Sequence, residues 1–186
     1  MKFFTTTIAI LITIFTLNTA VAQNNMNAPV RFKLKNGVTL IVAPNQGMGK
    51  VYAKLTVEND AVLLPNDATV LINNLLAKKA TDFNKSAHPI NNEIAPVSLQ
   101  FAEANTASRT NEFEEALTFA VNSMFNPDFS TDVVERDNSL EDVKTYYKNT
   151  IKTSDTYLTI AGDISVADAK MLVNKIFGNW KEVAKL

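Results

Sequence analysis

The stretch Phe32-Lys33-Leu34-Lys35-Asn36-Gly37-Val38-Thr39-Leu40-Ile41-Val42 predicts a β-hairpin at the start of the folded part of the chain. Apolar and polar residues alternate through its first half, with Phe32 and Leu34 on one face and basic residues on the other. Asn36-Gly37 separates the two alternating runs, and this dipeptide suits the left-handed positions of a tight hairpin turn. The chain is therefore expected to enter a β-sheet near Pro29.

Further strands and a helix are predicted after this hairpin. The alternation of Val51, Ala53, Leu55 and Val57 within Lys50–Glu58 indicates a third strand, which would complete a three-stranded meander. Apolar residues then recur at helical spacing behind a cap at Asn66 or Asp67, at Ala68, Leu71, Ile72, Leu75 and Leu76. The segment from Thr81 to Pro96 is predicted to be a loop, and a short strand is predicted from Val97 to Ala102.

The second half of the chain predicts mostly helices. An apolar stripe begins after an Asn111–Glu114 capping box and comprises Phe113, Ala116, Leu117, Ala120, Val121 and Met124. Residues 130–149 predict one broken helix or two, with Ser139 and Asp142 as a second capping box.

The last predicted elements are a strand and a helix. Tyr157–Ala161 is expected to be the strand, and it leads into a Gly162-Asp163 turn. Ser165 and Asp168 predict the cap of a final helix, which should end at Gly178. Strands with helices on one face indicate an α+β, two-layer sandwich with a mostly antiparallel sheet.

The N-terminus has the three-part pattern of a secretory signal peptide. Lys2 precedes an apolar run from Ile8 to Leu17, and the small residues Ala20-Val21-Ala22 follow. The run is shorter than the roughly 20 residues of a membrane span. We therefore expect a signal peptide over residues 1–22, a flexible leader over 23–28, and one domain over 29–186. The mature form would be periplasmic or secreted, with no membrane span.

The composition excludes several classes of function. The chain contains no Cys, so disulfides, thiolate catalysis and Cys-containing zinc sites are excluded. The net charge is −1 and the charges are interspersed, which argues against a nucleic-acid partner. The sequence has no G-x-S-x-G nucleophile motif and no glycine-rich phosphate or dinucleotide motif.

Taken in order, the segments resemble a domain of the insulinase/pitrilysin zinc peptidases. The opening hairpin is similar to the family pattern F-x-L-x-N-G-L-x-V, and Met124–Phe129 is similar to its N-P-x-F turn. Tyr157–Ile164 and Ile176–Trp180 resemble the closing "vvGD" strand and "yFGxW" helix end. The resemblance covers nearly all of the mature chain. The region after Glu135 departs from it, because the long helical stretch usual in the family is abridged.

The resemblance implies a zinc site in the first helix, but the chain lacks its ligands. Active members carry His-x-x-Glu-His, which places two imidazoles on one helix face beside a glutamate that polarises the metal-bound water. The matching positions here are Val70, Asn73 and Asn74, if Lys79-Ala80-Thr81 aligns with the family's K-G-T. Valine has no lone pair and asparagine is a poor zinc ligand. No His or Glu occurs between Asn59 and Ser86, so a shifted alignment supplies none. We therefore expect no zinc cofactor and no catalytic residue.

Other chemically notable residues have ordinary interpretations. The single histidine, His88, is expected in an exposed loop, and Glu135 and Glu141 are expected to be solvated helix carboxylates. Aromatic residues that could anchor a protein interface, or pack in the core, are Tyr146, Tyr147 and Trp180.

Three hypotheses about function follow. The first is a non-catalytic binding or partner subunit, which would pair with an active zinc-peptidase subunit or with a second copy, because in this family often only one of two paired domains carries the zinc motif. Peptide binding is compatible with it. The alternative is a stand-alone exported binding or structural domain. An active zinc endopeptidase is the least expected, because the ligands are absent.

Overall fold

A six-stranded sheet with helices packed against one face forms the described part of the chain, which in this computed structural model comprises residues 28–58, 66–87, 96–127 and 140–178. The strands are β1 (Val30–Lys33), β2 (Thr39–Pro44), β3 (Lys50–Val57), β4 (Val97–Gln100), β5 (Glu103–Arg109) and β6 (Thr156–Gly162). The helices are α1 (Asn66–Ala87), α2 (Phe113–Phe125), α3 (Leu140–Thr150) and α4 (Val166–Phe177). The predicted α+β class is confirmed.

The opening hairpin forms as predicted. Strands β1 and β2 are antiparallel, with Phe32 opposite Leu40. Gly37 has a φ of 94°, a left-handed conformation that glycine adopts without steric cost. The amide of Leu34 donates to the carbonyl of Val38 at 2.8 Å and closes the turn. The side chains of Leu34 and Leu40 are buried against the helices.

The predicted three-stranded meander is wrong, although β3 itself forms with its alternate residues buried. The strand order is β1-β2-β6-β3-β5-β4, so β6 lies between β2 and β3. Strand β6 is parallel to β2 and antiparallel to β3. Alternation along β2 and β3 predicts which face is buried, but it carries no information about which strand lies alongside. Because β2–β6 is the one parallel pairing among the described strands, the sheet is mostly antiparallel as predicted.

One row of side chains crosses the whole sheet and forms the centre of the core. Leu158 of β6 lies between Leu40 of β2 and Leu55 of β3. The row continues outward to Phe32 on one side and to Ala104 and Leu99 on the other. It is buried throughout, except for the partly exposed Phe32, and the helices pack over it.

Helix α1 begins near the predicted cap but is longer than expected. It continues to Ala87, so its last seven residues occupy a segment that was predicted to be a loop. Phe83 stacks on Phe119 of α2 with ring centroids 4.1 Å apart. The Asn84 carboxamide bonds the backbone of Val97. These contacts with distant residues stabilise helical turns whose polar sequence has little helix signal of its own.

A hairpin replaces the single strand predicted after α1. Strand β4 ends at Gln100, Phe101 and Ala102 form the turn, and β5 follows without having been predicted. Ala102 has a φ of 62°, a conformation usually occupied by glycine or asparagine. The turn contains neither residue, so the sequence gives no hairpin signal here.

Of the predicted helix caps, the one at α2 is wrong and the one at α4 is confirmed. The stripe on α2 is buried as expected, but Glu112 is at the cap position in αR geometry with no side-chain cap bond. The Asn111–Glu114 capping box is therefore wrong, because a capping side chain requires an extended backbone at the cap. Glu114 instead forms an ion pair with Lys175 of α4.

At α4 the amide of Asp168 donates to the Ser165 hydroxyl at 3.0 Å, which confirms that cap. The helix ends at Phe177, just before Gly178, as predicted. Helix α3 begins inside the segment predicted as helical, residues 130–149, and ends just beyond it at Thr150. Ser139 falls outside the described residues, so its capping box stays a prediction.

Candidate functional site

Helix α1 carries the three positions that the sequence aligns with the zinc motif. Val70 is 58% exposed, and Asn74 one turn later is also exposed. Asn73 is half-buried and points toward the turn between β4 and β5. The helix therefore presents Val70 and Asn74 at the i and i+4 positions where two metal-binding imidazoles would lie.

Asn73 has a structural partner. Its Oδ1 accepts a hydrogen bond of 2.7 Å from the backbone amide of Phe101. That amide is in the β4–β5 turn, next to the left-handed Ala102. The carboxamide therefore holds the hairpin turn against α1.

The donor set at this site does not fit zinc. A catalytic zinc ion requires about three protein ligands drawn from His, Cys, Asp or Glu. Within residues 28–58, 66–87, 96–127 and 140–178, no three such residues are grouped closely enough to share a metal ion. Val70 and Asn74 themselves carry an aliphatic and an amide side chain, neither of which is a good zinc ligand.

Several residues singled out from the sequence fall outside the described positions. These are His88 and Glu135, the aromatic Trp180, the whole predicted signal peptide, and the predicted leader up to residue 27. Glu141 lies in α3, but its side chain is not among those described. The interpretations given to these residues stay predictions.

Tyr146 and Tyr147 occupy different environments on α3. Tyr147 is 1% exposed, and its hydroxyl donates to the Met124 carbonyl at 2.7 Å. Burial raises the pKa of the Tyr147 phenol above its ordinary value. Tyr146 is half-buried, with its ring 6.2 Å from that of Phe101. The position of Tyr147 favours core packing over an interface role.

A second surface of interest is the sheet face opposite the helices, which we call the open face. A trough of about 510 Å³ runs across strands β4, β5, β3 and β6. Exposed or half-buried side chains on this face are those of Tyr52, Lys54, Ser98, Asn105, Ala107, Thr159 and Ala161. The small side chains in the middle leave the backbone accessible, and a tyrosine and a lysine border them.

An ordered polar group borders this trough. Lys54 Nζ lies 2.9 Å from a carboxylate oxygen of Glu103, and Asn105 donates to the other oxygen at 2.9 Å. The Asn105 bond and the Lys54 ammonium lower the pKa of the Glu103 carboxyl below its ordinary value. The group gives the open face a polar rim beside its centre of small residues.

Sequence reasoning missed the roles of Asn73 and Asn84. From the sequence alone, Asn73 is only a position aligned with the zinc motif, and Asn84 lies in a predicted loop. Their partners, Phe101 and Val97, lie 28 and 13 positions away in the chain. The spacing of eleven residues between the two asparagines, which is close to three helical turns, is the one signal in the sequence that could have paired them.

Comparisons with known proteins identify the fold. No family profile matches the chain, and no curated protein matches it by sequence. A protease from Helicobacter pylori superposes with a TM-score of 0.65 at 12% identity, over 87% of this chain and 52% of that protein. A predicted insulinase family protease from Yersinia pestis gives 0.60 at 16% identity, over 86% and 48%. The peptidase M16 inactive domain from Pseudomonas fluorescens gives 0.62 at 11% identity, over 86% and 53%.

At these identities the comparisons show the fold alone. The chain spans about half the length of each of the three proteins. In the described part of the chain, no helix is both long and apolar enough to cross a membrane. The resemblance noted in the sequence is confirmed at the level of architecture, and the chain has the fold of one domain of the insulinase-type peptidases.

Proposed function

We propose that the protein is an exported, non-catalytic homologue of the insulinase-type peptidases that acts as a binding or partner subunit. The observation that carries the proposal is which side chains stand at the three aligned positions of α1. Val70, Asn73 and Asn74 occupy the motif positions, and Asn73 is engaged with the Phe101 amide. Asn73 therefore has a structural role in holding the turn. Val70 and Asn74 provide no ligand for a metal.

The open face supports the binding part of the proposal. Its trough is wide, bordered by Tyr52 and Lys54, and has small side chains at its centre. Tyrosine is enriched where proteins associate, because it supplies a large contact area at low entropic cost. A partner could therefore approach the sheet closely without first displacing bulky side chains.

Zinc content is the first test of the non-catalytic part. The native chain, equilibrated with zinc and then dialysed, is expected to retain far less than one zinc per chain. A matched variant that combines Val70→His, Asn73→Glu and Asn74→His restores two imidazoles at i and i+4, so it should retain more zinc than the native chain. Retention of about one zinc per native chain, with hydrolysis of a quenched fluorescent peptide that a chelator abolishes, would contradict the proposal.

Solution mass tests the partner part. Light scattering after size separation, with the protein alone and with candidate zinc-peptidase subunits, is expected to show a stable complex with an active subunit. A second-copy dimer would identify the chain as its own partner. A chain that stays monomeric with every candidate would favour the stand-alone exported domain instead.

Export is tested separately by fractionating cells and sequencing the N-terminus of the recovered protein. Cleavage near Ala22 is expected. Recovery of the uncleaved chain from the cytoplasm would remove export from the proposal and leave the rest standing.

A further inference from the structure

Strand β4 is at one edge of the described sheet, and edge strands normally offer unpaired backbone groups to other chains. The register defines which groups these are. Ser98 is opposite Asn105, and the Ala107 amide donates to the Pro96 carbonyl at 2.9 Å. In an antiparallel ladder, one residue directs its amide and carbonyl toward the paired strand and the next residue directs them away from it. The amides and carbonyls of Val97 and Leu99, and the Phe101 amide, therefore point out of the sheet.

Helix α1 supplies side chains to this outward row at both of its ends. The Asn84 carboxamide forms two bonds with Val97, accepting from its amide at 3.0 Å and donating to its carbonyl at 2.8 Å. Asn73 accepts from the Phe101 amide at 2.7 Å. Asn84 thus makes with Val97 the same pair of bonds that a residue of a neighbouring strand would make.

The lengths of the two elements match. Asn73 and Asn84 are eleven residues apart on α1, which corresponds to about 16 Å along a helix axis. Val97 and Phe101 are four residues apart on an extended strand, which corresponds to about 13 Å. The small difference is within the reach of the two carboxamides. The helix therefore lies along the edge with one asparagine at each end.

We infer that Asn73 and Asn84 form a clasp that closes edge strand β4 against pairing with β4 of a second copy of this chain. The strand is a suitable template for such pairing because Val97 and Leu99 are buried on one face while Ser98 and Gln100 are exposed on the other. A second β4 could satisfy the same outward groups only after both carboxamides had moved away. This inference concerns the sheet edge; it shares the Asn73–Phe101 bond with the proposed function but requires no partner subunit.

The clasp can be tested without any substitution by amide hydrogen exchange of the native chain. The Val97 and Phe101 amides lie on the outer side of an edge strand, where water would normally reach them. With the asparagine bonds they are expected to exchange on the order of tenfold more slowly than the same amides in an unprotected peptide. Exchange of both amides at the rate of an unprotected peptide in the native chain would overturn the inference.

The second test opens the clasp. A variant with Asn73→Ala and Asn84→Ala is expected to associate, so that its mass by light scattering doubles as concentration rises. The matched control replaces two exposed asparagines, Asn74→Ala and Asn122→Ala, and should stay in the state of the native chain. A double variant that keeps native circular dichroism and the native solution mass at every concentration would contradict the inference.

A third variant distinguishes pairing through the β4 edge from nonspecific association. Ser98→Lys, added to the open-clasp variant, places a charge on the exposed face of β4 next to its symmetry-related copy. Like charges across a strand pair are unfavourable, so the dimer is expected to dissociate. If association persists unchanged with the lysine present, it does not involve this edge, and the inference fails.

Discussion

Tyr147 brings a buried hydroxyl group to the contact between α3 and α2. Its hydroxyl donates to the carbonyl oxygen of Met124, which lies in the last turn of α2. The last carbonyls of a helix have no partner within the helix. The phenol of α3 therefore satisfies the end of α2 and fixes the two helices together.

Replacing Tyr147 with phenylalanine should destabilise the protein by about 1–3 kcal/mol, because the Met124 carbonyl loses its buried donor. Urea unfolding measures the change. Tyr52→Phe on the open face is the control and should change the free energy of unfolding by less than about 0.5 kcal/mol. Equal effects of the two substitutions would show that the buried bond contributes nothing.

The same residue predicts a pH dependence. Burial raises the pKa of Tyr147 in the folded state, whereas in the unfolded chain the phenol titrates near its ordinary value of 10.0. Above that pH the unfolded state binds fewer protons, so stability is complete below pH 10 and falls as the pH rises toward the folded pKa. The slope of unfolding free energy between pH 9.5 and 11, a window set by that value, should be smaller in Tyr147→Phe than in the native chain.

At the residue scale, the sequence predicted only part of the candidate site. That Val70, Asn73 and Asn74 are poor zinc ligands follows from residue chemistry and needs no coordinates. The use of Asn73 as an acceptor for Phe101 does not, because the two residues meet only once the sheet has formed. A side chain that bonds a distant backbone group leaves no periodic pattern in its own segment.

At the scale of elements, the β4–β5 hairpin has an unfavourable turn residue. Ala102 adopts a φ of 62°, which costs a residue with a Cβ roughly 1–2 kcal/mol. The turn keeps this conformation because hydrogen bonds hold it on both sides. Asn73 accepts from the Phe101 amide, and the Val57 amide donates to the Ala102 carbonyl at 2.9 Å.

Ala102→Gly should therefore stabilise the protein, by about 0.5–1 kcal/mol once the greater entropy of unfolded glycine is subtracted. Ala107→Gly in β5 is the matched control and should destabilise by a similar amount, since its backbone is already in the strand conformation. Thermal unfolding of the two variants gives the signs. Destabilisation by Ala102→Gly would mean that the methyl group's packing outweighs the backbone strain.

The elements predicted from sequence are those specified by their own residues. The first hairpin has Asn36-Gly37, α2 has a continuous apolar stripe, and α4 has a serine cap. The incorrect predictions occur where contacts with residues distant in the sequence determine the secondary structure. The last turns of α1 depend on Phe119 and Val97, and β5 follows a turn without turn residues.

At the scale of the whole molecule, β6 connects the two parts of the sheet. On one side it pairs with β2, which carries β1, and on the other with β3, which carries β5 and β4. Leu158 contributes the central side chain of the buried row. No local pattern predicts this arrangement, because Thr39 and its partner Tyr157 are far apart in the sequence.

Leu158→Ala should cost about 2–5 kcal/mol, since it leaves a cavity between Leu40 and Leu55. Val30→Ala, on the exposed edge strand β1, is the control and should change stability by less than about 0.5 kcal/mol. Urea unfolding followed by both fluorescence and circular dichroism measures the two values. A small effect of Leu158→Ala would show that the two parts of the sheet do not depend on β6 for their stability.

The position of β6 also determines when this protein can fold during its synthesis. On the ribosome, strands β1 to β5 are all made before β6, the strand that joins β1–β2 to β3–β5–β4. Domains fold as units once their sequence is available. The nascent polypeptide therefore stays without its completed sheet until residues 156–162 have been released.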